Sequence, residues 1–203
     1  MPPTIPRIAL ACLLSFSTTS ALAAGADRAG SLDPDPGGIE LASVHATVAD
    51  LDSGHVFYRK RERRVVPIAS VTKLMTAMVV LDSGASLDQW LAAVERLEAP
   101  ANNGFTRIRT DSRLQRRDLL RLALMASENR AAYVLARHHP GGLDAFVQAM
   151  NDKADALGMV DTRFVGPSGL DTGNRSTAAD LLVMLRAALD YAPIREYTQS
   201  RRF

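Results

Sequence analysis

Residues 67–81 read PIASVTKLMTAMVVL, and the long apolar run after the proline predicts a helix over residues 70–81. Ser70 and Lys73 are three positions apart, so a helix places them on the same face. Because this helix is apolar nearly all round, we expect Lys73 to be buried, and a buried lysine loses its charge readily and can act as a base. Ser70 stands at the positive end of the helix, where developing negative charge is favoured. The stretch therefore predicts a nucleophilic serine activated by a lysine, although a capping serine followed by a solvated lysine fits the same four residues.

A second polar element follows the apolar run of residues 119–126, which reads LLRLALMA. Ser127, Glu128 and Asn129 come directly after it and supply a hydroxyl and an amide. A serine enzyme without a histidine base needs a hydroxyl to relay the proton to the leaving amine and an amide to hold the lysine and a substrate carbonyl. Ser127 and Asn129 are therefore candidates for these two roles. Ser127 can also cap the helix that follows, and capping is compatible with catalysis.

The remaining pattern predicts strands first and helices afterwards. Residues 41–49 and 55–59 alternate on either side of the turn sequence Asp52-Ser53-Gly54, as in a β-hairpin. Helical periodicity covers residues 117–125, 130–138, 143–157 and 178–189, and Thr177 with Asp180 predicts a capped start for the last of these. Residues 197–203 are polar, and we expect no helix there.

The first 23 residues have the pattern of a secretory signal peptide. Arg7 precedes an apolar stretch at residues 8–16 that is too short to span a bilayer, and Ala21-Leu22-Ala23 offers the small residues that a signal peptidase reads. We therefore expect cleavage before Ala24, a periplasmic protein, and a flexible leader rich in Gly, Asp and Pro over residues 24–38. No later segment approaches about eighteen consecutive apolar residues, so no integral membrane anchor is predicted.

Composition argues against several classes of protein. The chain of 203 residues has a formal net charge of +2 and is 47% hydrophobic, which suits one domain with its own core and gives no sign of nucleic acid binding. The single cysteine, Cys12, lies in the predicted signal peptide, so a thiolate nucleophile is not expected in the mature protein. The four histidines show no metal-ligand spacing, and we predict neither a metal nor a cofactor.

Three stretches resemble the low-molecular-mass penicillin-binding proteins, the D-alanyl-D-alanine peptidases. They are residues 67–76 (PIASVTKLMT), residues 127–132 (SENRAA), and residues 162–170 (TRFVGPSGL) with 176–181 (STAADL). The resemblance runs from about residue 39 to residue 195, and three ordered motifs are far more specific than one. It implies a β-lactamase/transpeptidase-like α/β fold of the α+β kind, with an antiparallel sheet packed against a helical region and the site between them.

The resemblance also implies the chemistry. Ser70 attacks the carbonyl of the penultimate D-alanine of a peptidoglycan peptide and forms an acyl-enzyme that water releases, and β-lactam antibiotics act as acylating inhibitors. Lys73 is then the base, Ser127 relays a proton, and Asn129 positions Lys73 and the substrate. In the related β-lactamases the identity of the base is disputed, because a glutamate can act there through water. The sequence around Asn129 is most similar to the endopeptidase subgroup, with carboxypeptidase action on a terminal D-alanine close behind.

One motif of the family, Lys-Thr-Gly, does not occur in this sequence, whose lysines are Lys60, Lys73 and Lys153. In the family this motif binds the substrate carboxylate and donates an oxyanion N–H, so we expect residues 39–203 to form an incomplete peptidase domain without its C-terminal strands. The alternative to an active enzyme is a weakly active or inactive remnant that binds wall peptide or penicillin. A class A β-lactamase fits less well, because Glu128 replaces the aspartate of its Ser-Asp-Asn motif and no Glu-x-x-Leu-Asn follows.

Overall fold

The protein is described by a computed structural model that covers residues 8–12, 41–93 and 106–200. The expected cleavage site before Ala24 and the expected leader over residues 24–38 lie outside the described residues.

The hairpin predicted from alternating residues is confirmed. β2 (Ala46–Asp50) pairs antiparallel with β3 (Val56–Lys60). Asp50 closes the turn, because its carboxylate accepts hydrogen bonds from both the backbone N–H and the hydroxyl of Ser53 at 2.6 Å. Gly54 follows with a φ of 75°, a left-handed conformation that glycine adopts without steric cost.

A third strand, β1 (Ile8–Cys12), lies antiparallel on the other edge of β2, with Leu10 opposite Val48. This strand is part of the apolar stretch assigned to a signal peptide. A strand edge that has no partner offers a row of N–H and C=O groups, and a short apolar segment of the same chain can pair with it. In the uncleaved chain the segment therefore extends the sheet, and its removal stays a prediction.

Six helices are present in the described residues, and five of them match the predicted periodicity to within two residues at either end. They are α1 (Thr72–Asp82), α2 (Arg116–Met125), α3 (Asn129–Arg137), α4 (Gly142–Ala156), α5 (Ala178–Ala188) and α6 (Ala192–Gln199). α1 contacts each of the other five, and α5 packs against β1 and β2. The helix that carries Lys73 is thus the centre of the helical region, as its nearly uniform apolar surface requires.

Five methionines are completely buried in the helical core. They are Met75 and Met78 of α1, Met150 of α4, Met184 of α5, and Met159 in the loop after α4. Unbranched methionine side chains fill the irregular space where several helices meet at one central helix. Together with the small antiparallel sheets, this core confirms an α+β architecture.

Two details differ from the sequence-based expectations. Residues 69–71 form a turn of 3₁₀ helix, so α1 begins at Thr72 rather than at Ser70. Residues 192–199 form α6, although residues 197–203 were expected to contain no helix. The polar composition concealed this helix, which is anchored by Ile194, only 2% exposed, and contacts α1 and α2. Tertiary packing of one apolar residue offsets a weak intrinsic preference for helix.

Short strands connect the helical region to the site. β4 (Val66–Pro67) pairs antiparallel with β7 (Arg175–Ser176), and β5 (Trp90–Ala92) pairs antiparallel with β6 (Arg113–Gln115). The capped start of α5 is confirmed, because the Thr177 hydroxyl oxygen accepts a hydrogen bond from the Asp180 N–H at 3.1 Å. In the described part of the chain, no helix is both long enough and apolar enough to cross a membrane.

Candidate active site

The turn before α1 carries Ser70 to the surface. Ser70 is exposed, whereas Thr72 and Lys73 on the following turn are buried. Ala69 has a φ of 46°, a left-handed conformation that is unfavourable for a residue with a side chain. Its carbonyl group packs so closely against Gly169, which has a φ of 80°, that a Cβ atom at Gly169 would overlap it. The site thus contains local backbone strain next to the serine, a feature common at functional positions.

Lys73 is the centre of the site and is 2% exposed, as its place on an apolar helix predicted. Its Nζ atom donates hydrogen bonds to Ser70 Oγ at 3.0 Å, to Asn129 Oδ1 at 2.8 Å and to the carbonyl oxygen of Ser168 at 2.7 Å. The three partners come from three separate parts of the chain. Packing therefore brings together the two sequence motifs and one loop that sequence reasoning had given no chemical role.

The surroundings of Lys73 favour its neutral form. Burial lowers the pKa of Lys73 to about 8, while the negative charge of Glu128 acts in the opposite direction. An ammonium group donates to all three partners, but a neutral amine has two N–H donors and one lone pair. If the carbonyl of Ser168 and the amide oxygen of Asn129 take the two donors, the lone pair is left to accept the proton of the Ser70 hydroxyl. The arrangement can therefore act as a nucleophile and base pair.

The second motif lies at the junction of α2 and α3. α2 ends at Met125, and Asn129 is the first residue of α3. Between them, Ser127 has a φ of 53° and an exposed side chain. The expectation that Ser127 caps α3 is wrong. Glu128 is the capping residue, since its carboxylate accepts a hydrogen bond from the Arg130 N–H at 3.0 Å. A carboxylate here also meets the positive end of the helix dipole, which releases Ser127 from a capping role.

Sequence reasoning missed the polar residues behind the lysine. Thr76, buried on α1, donates its hydroxyl hydrogen to the carbonyl oxygen of Pro167 at 2.7 Å. Thr72 accepts a hydrogen bond from the amide of Asn174 at 3.0 Å. Two threonines on the buried face of an apolar helix were a usable signal, because buried hydroxyl groups need hydrogen-bond partners. Their partners could not be identified without the fold.

The histidines hold no metal cluster in the part of the chain that the structure describes. His138 Nδ1 lies 2.9 Å from the carbonyl oxygen of Val134 at the C-terminal end of α3. The His139 ring packs edge-on against Phe146, with ring centroids 5.3 Å apart. Both rings thus make local contacts near the C-terminal end of α3.

Known proteins match this chain over a range that includes all three motifs. The sequence profile of the D-alanyl-D-alanine carboxypeptidase family, peptidase family S11, matches residues 31–202. A D-alanyl-D-alanine endopeptidase of Pseudomonas aeruginosa is 51% identical over 159 residues, which are 78% of this chain and 51% of that protein. A D-alanyl-D-alanine endopeptidase of Escherichia coli K12 is 48% identical over 163 residues, which are 80% of this chain and 52% of that protein.

Solved structures agree with the sequence comparison. Penicillin-binding protein D2 of Listeria monocytogenes, in its cefotaxime-bound form, superposes with a TM-score of 0.67 and 32% identity over 76% of this chain and 65% of that one. The chain spans about half the length of the curated relatives that it matches. On its motifs, its fold and the profile match over most of its length, the chain belongs to the D-alanyl-D-alanine carboxypeptidase family of serine peptidases.

Proposed function

We propose that the protein is a serine-type D-alanyl-D-alanine peptidase that acts on peptidoglycan peptides through an acyl-enzyme on Ser70. The observation that carries the proposal is the position of Lys73 Nζ, buried and 3.0 Å from the Ser70 hydroxyl oxygen. A lysine with a pKa of about 8 is neutral often enough near neutral pH to take a proton from a serine. Ser70 is the proposed nucleophile and Lys73 the proposed base.

In the first half of the reaction, Ser70 Oγ bonds to the carbonyl carbon of the penultimate D-alanine, and the Ser70 proton passes to Lys73. The carbonyl oxygen gains negative charge beside the first turn of a helix, where backbone N–H groups have no acceptor within the helix. The bond to the leaving amine then breaks, and the amine takes a proton that Ser127 relays. The products of this half are a free amine and an ester on Ser70.

In the second half, water supplies the nucleophile. Its oxygen bonds to the ester carbonyl carbon, one of its protons passes to Lys73, and the bond to Ser70 Oγ breaks as the serine regains a proton. Asn129 is the proposed positioning and substrate-binding residue, since its amide oxygen lies 2.8 Å from Lys73 Nζ. The Nδ2 group of the same amide is the proposed donor to a substrate carbonyl.

We propose cleavage of D-alanyl cross-links rather than of terminal D-alanine as the main activity. Two relatives that share about half of the aligned residues are named D-alanyl-D-alanine endopeptidases. Among relatives at 27–39% identity, one of Haemophilus influenzae, 32% identical, is also named an endopeptidase, and the others are named carboxypeptidases. β-Lactam antibiotics are the proposed inhibitors, because the Listeria penicillin-binding protein of the same fold has cefotaxime bound. The alternative is a remnant that binds wall peptide or penicillin with little or no turnover.

The proposed place of action is the periplasm, reached through removal of residues 1–23, with residues 24–38 as the leader of the mature peptidase domain. The small residues at Ala21 and Ala23 support this cleavage. N-terminal sequencing of the exported protein should begin at Ala24. An N-terminus at a lipid-modified Cys12 would contradict it.

Acylation by a labelled penicillin tests the mechanism. Mass spectrometry of the labelled protein should place the adduct on Ser70, Ser70→Ala should abolish labelling, and Lys73→Ala should slow it by about 10²–10⁴-fold. Ser83→Ala is the matched control, because Ser83 lies at the other end of α1 and its hydroxyl has only local partners, the Val80 carbonyl at 2.6 Å and the Ala85 N–H at 3.4 Å. Labelling that survives Ser70→Ala would remove Ser70 from the reaction. Release of D-alanyl peptide from cross-linked substrate then separates an enzyme from a remnant that stops at the acyl stage.

A further inference from the structure

Asn174 lies behind the candidate active site and is completely buried. Its amide oxygen accepts hydrogen bonds from the backbone N–H groups of Val165 at 2.8 Å and Gly166 at 3.1 Å. Its amide nitrogen donates to the Gly166 carbonyl at 2.7 Å and to Thr72 Oγ1 at 3.0 Å. An asparagine amide offers two acceptor sites and two donors, so all four are used. A buried amide whose donors and acceptors are all hydrogen-bonded holds its partners in fixed positions.

The partners of Asn174 bracket the nucleophile. Thr72, the first residue of α1, lies two residues after Ser70. The backbone carbonyl oxygen of Asn174 accepts a hydrogen bond at 3.1 Å from the N–H of Ile68, two residues before Ser70. Thr72 is 0% exposed and Ile68 1% exposed, so water does not replace these contacts. One residue thus holds the chain on both sides of the serine.

The same residue fixes the loop that meets Lys73. Asn174 binds Val165 and Gly166, and the next residues of the loop are Pro167 and Ser168. The Ser168 carbonyl oxygen is the acceptor at 2.7 Å from Lys73 Nζ, and its acceptor role comes from the backbone rather than from the side chain. The loop also helps to bury the lysine, which is 2% exposed, because the Ser168 carbonyl contacts its amine directly.

We propose that Asn174 is a positioning residue that acts through Thr72 and the Ser168 carbonyl to keep the amine of Lys73 dry and aimed at Ser70. The catalytic importance of Asn174 rests on the proposed function. Its effect on the pKa of Lys73 does not depend on that function. When Asn174 is removed, the loop is free to move away from Lys73 and water reaches the amine. Burial is the main cause of the low pKa of Lys73, so hydration raises this pKa towards its ordinary value of 10.5.

Among the described residues, Glu128 is the ionisable group whose charge acts on Lys73. It caps α3, on the Asn129 side of the lysine, and makes no hydrogen bond to Asn174 or to the loop of residues 165–168. The turn before α1 and the loop contribute only neutral groups, the Ser70 hydroxyl and the Ser168 carbonyl, to the contacts of the Lys73 amine. A change at Asn174 therefore alters the hydration of Lys73 without altering its charged partner.

Lysine NMR tests the proposal directly, because the chain has three lysines, Lys60, Lys73 and Lys153. The full chain labelled with ¹³C at lysine Cε is titrated from pH 6 to pH 11, and Lys73→Met identifies the signal of the active-site lysine. The midpoint of Lys73 should lie at about 8 in the parent protein. In Asn174→Ala it should rise by about one pH unit or more, which lowers the neutral fraction near pH 7 about tenfold.

Two further variants separate positioning from general destabilisation. Thr72→Val removes the acceptor for the Asn174 amide with little change in shape and should also raise the midpoint, while Thr72→Ser keeps a hydroxyl and should restore it. Asn151→Ala is the control. Asn151 binds the N–H and the carbonyl of Phe164 at 2.9 Å, one residue before the loop, and makes no hydrogen bond to α1. It should lower the thermal stability and leave the midpoint of Lys73 unchanged.

An unchanged or lower Lys73 midpoint in Asn174→Ala and Thr72→Val would overturn the proposal, as would an equal rise in Asn151→Ala. If Asn174→Ala fails to fold, the Thr72 pair decides alone. The readout needs no enzymatic turnover. A shifted midpoint in a protein whose Ser70 is not acylated by penicillin would leave the positioning role standing and refute the proposed function.

Discussion

Replacement of Lys73 by methionine measures how much the buried amine costs the fold. Lys73 has an ordinary pKa of 10.5 in the unfolded chain and about 8 in the folded protein, a difference of about 2.5 units. Each unit corresponds to about 1.36 kcal/mol, so the linkage amounts to about 3 kcal/mol. Lys73 is 2% exposed, so solvent screening does not reduce this figure as it would at the surface.

The sign of the effect follows from proton binding. Between about pH 8 and pH 10.5 the unfolded chain keeps a proton that the folded protein has released. The unfolded state then binds more protons, so the free energy of unfolding rises with pH across this window. Above about pH 10.5 the amine is neutral in both states, and the free energy of unfolding is about 3 kcal/mol higher than below pH 8. Below about pH 8 the amine is protonated in both states, so this increase in unfolding free energy is absent.

Urea unfolding of the full chain and of Lys73→Met, followed by circular dichroism from pH 7 to pH 11, supplies the measurement. Methionine keeps an unbranched side chain and has no charge. Loss of the donor to Asn129 and Ser168 destabilises the variant at every pH, and the ionisation of tyrosines affects both proteins. The difference between the two unfolding free energies should therefore move by about 3 kcal/mol in favour of the parent protein. Parallel curves over this range would refute a depressed pKa for Lys73.

Two substitutions next to the site give further expected outcomes. Glu128→Gln keeps the oxygen that caps α3 but removes the charge that raises the pKa of Lys73, so the Lys73 midpoint in lysine NMR should fall below about 8. A midpoint that rises would contradict this electrostatic assignment. Gly169→Ala places a Cβ atom on the carbonyl of Ala69, so it should lower the melting temperature and slow the acylation of Ser70. Gly158→Ala is its control, because Gly158 has a φ of 76° and nothing within 4 Å of a Cβ, and should cost only about 1–2 kcal/mol of backbone strain.

The helices and strands that local sequence patterns predicted differ in how well they match the structure. The periodicity of residues 178–189 predicts α5 (Ala178–Ala188) closely, and Thr177 caps it as its residue type indicates. α6 was missed, since its one deeply buried residue, Ile194, is too weak a pattern to signal a helix. The strand at Ile8–Cys12 was not predicted either, because its pairing depends on an edge supplied by β2, far along the chain.

The sequence alone determined which residues are available for chemistry. Ser70 and Lys73 had to share a face because helical geometry fixes residues three apart, and Lys73 had to be buried because the rest of its helix is apolar. The order of the three motifs also identified the family. These conclusions depend on local geometry and on residue type, which the sequence specifies directly.

Only the tertiary structure decided what surrounds the amine of Lys73. Its acceptors include Asn129, 56 residues away, and the carbonyl of Ser168, 95 residues away. A backbone carbonyl is present at every residue, so no sequence pattern distinguishes the one that packing brings to the lysine. The capping role of Glu128 instead of Ser127 and the fully bonded amide of Asn174 have the same origin. They arise where helices and loops distant in the chain must satisfy one another's buried polar groups.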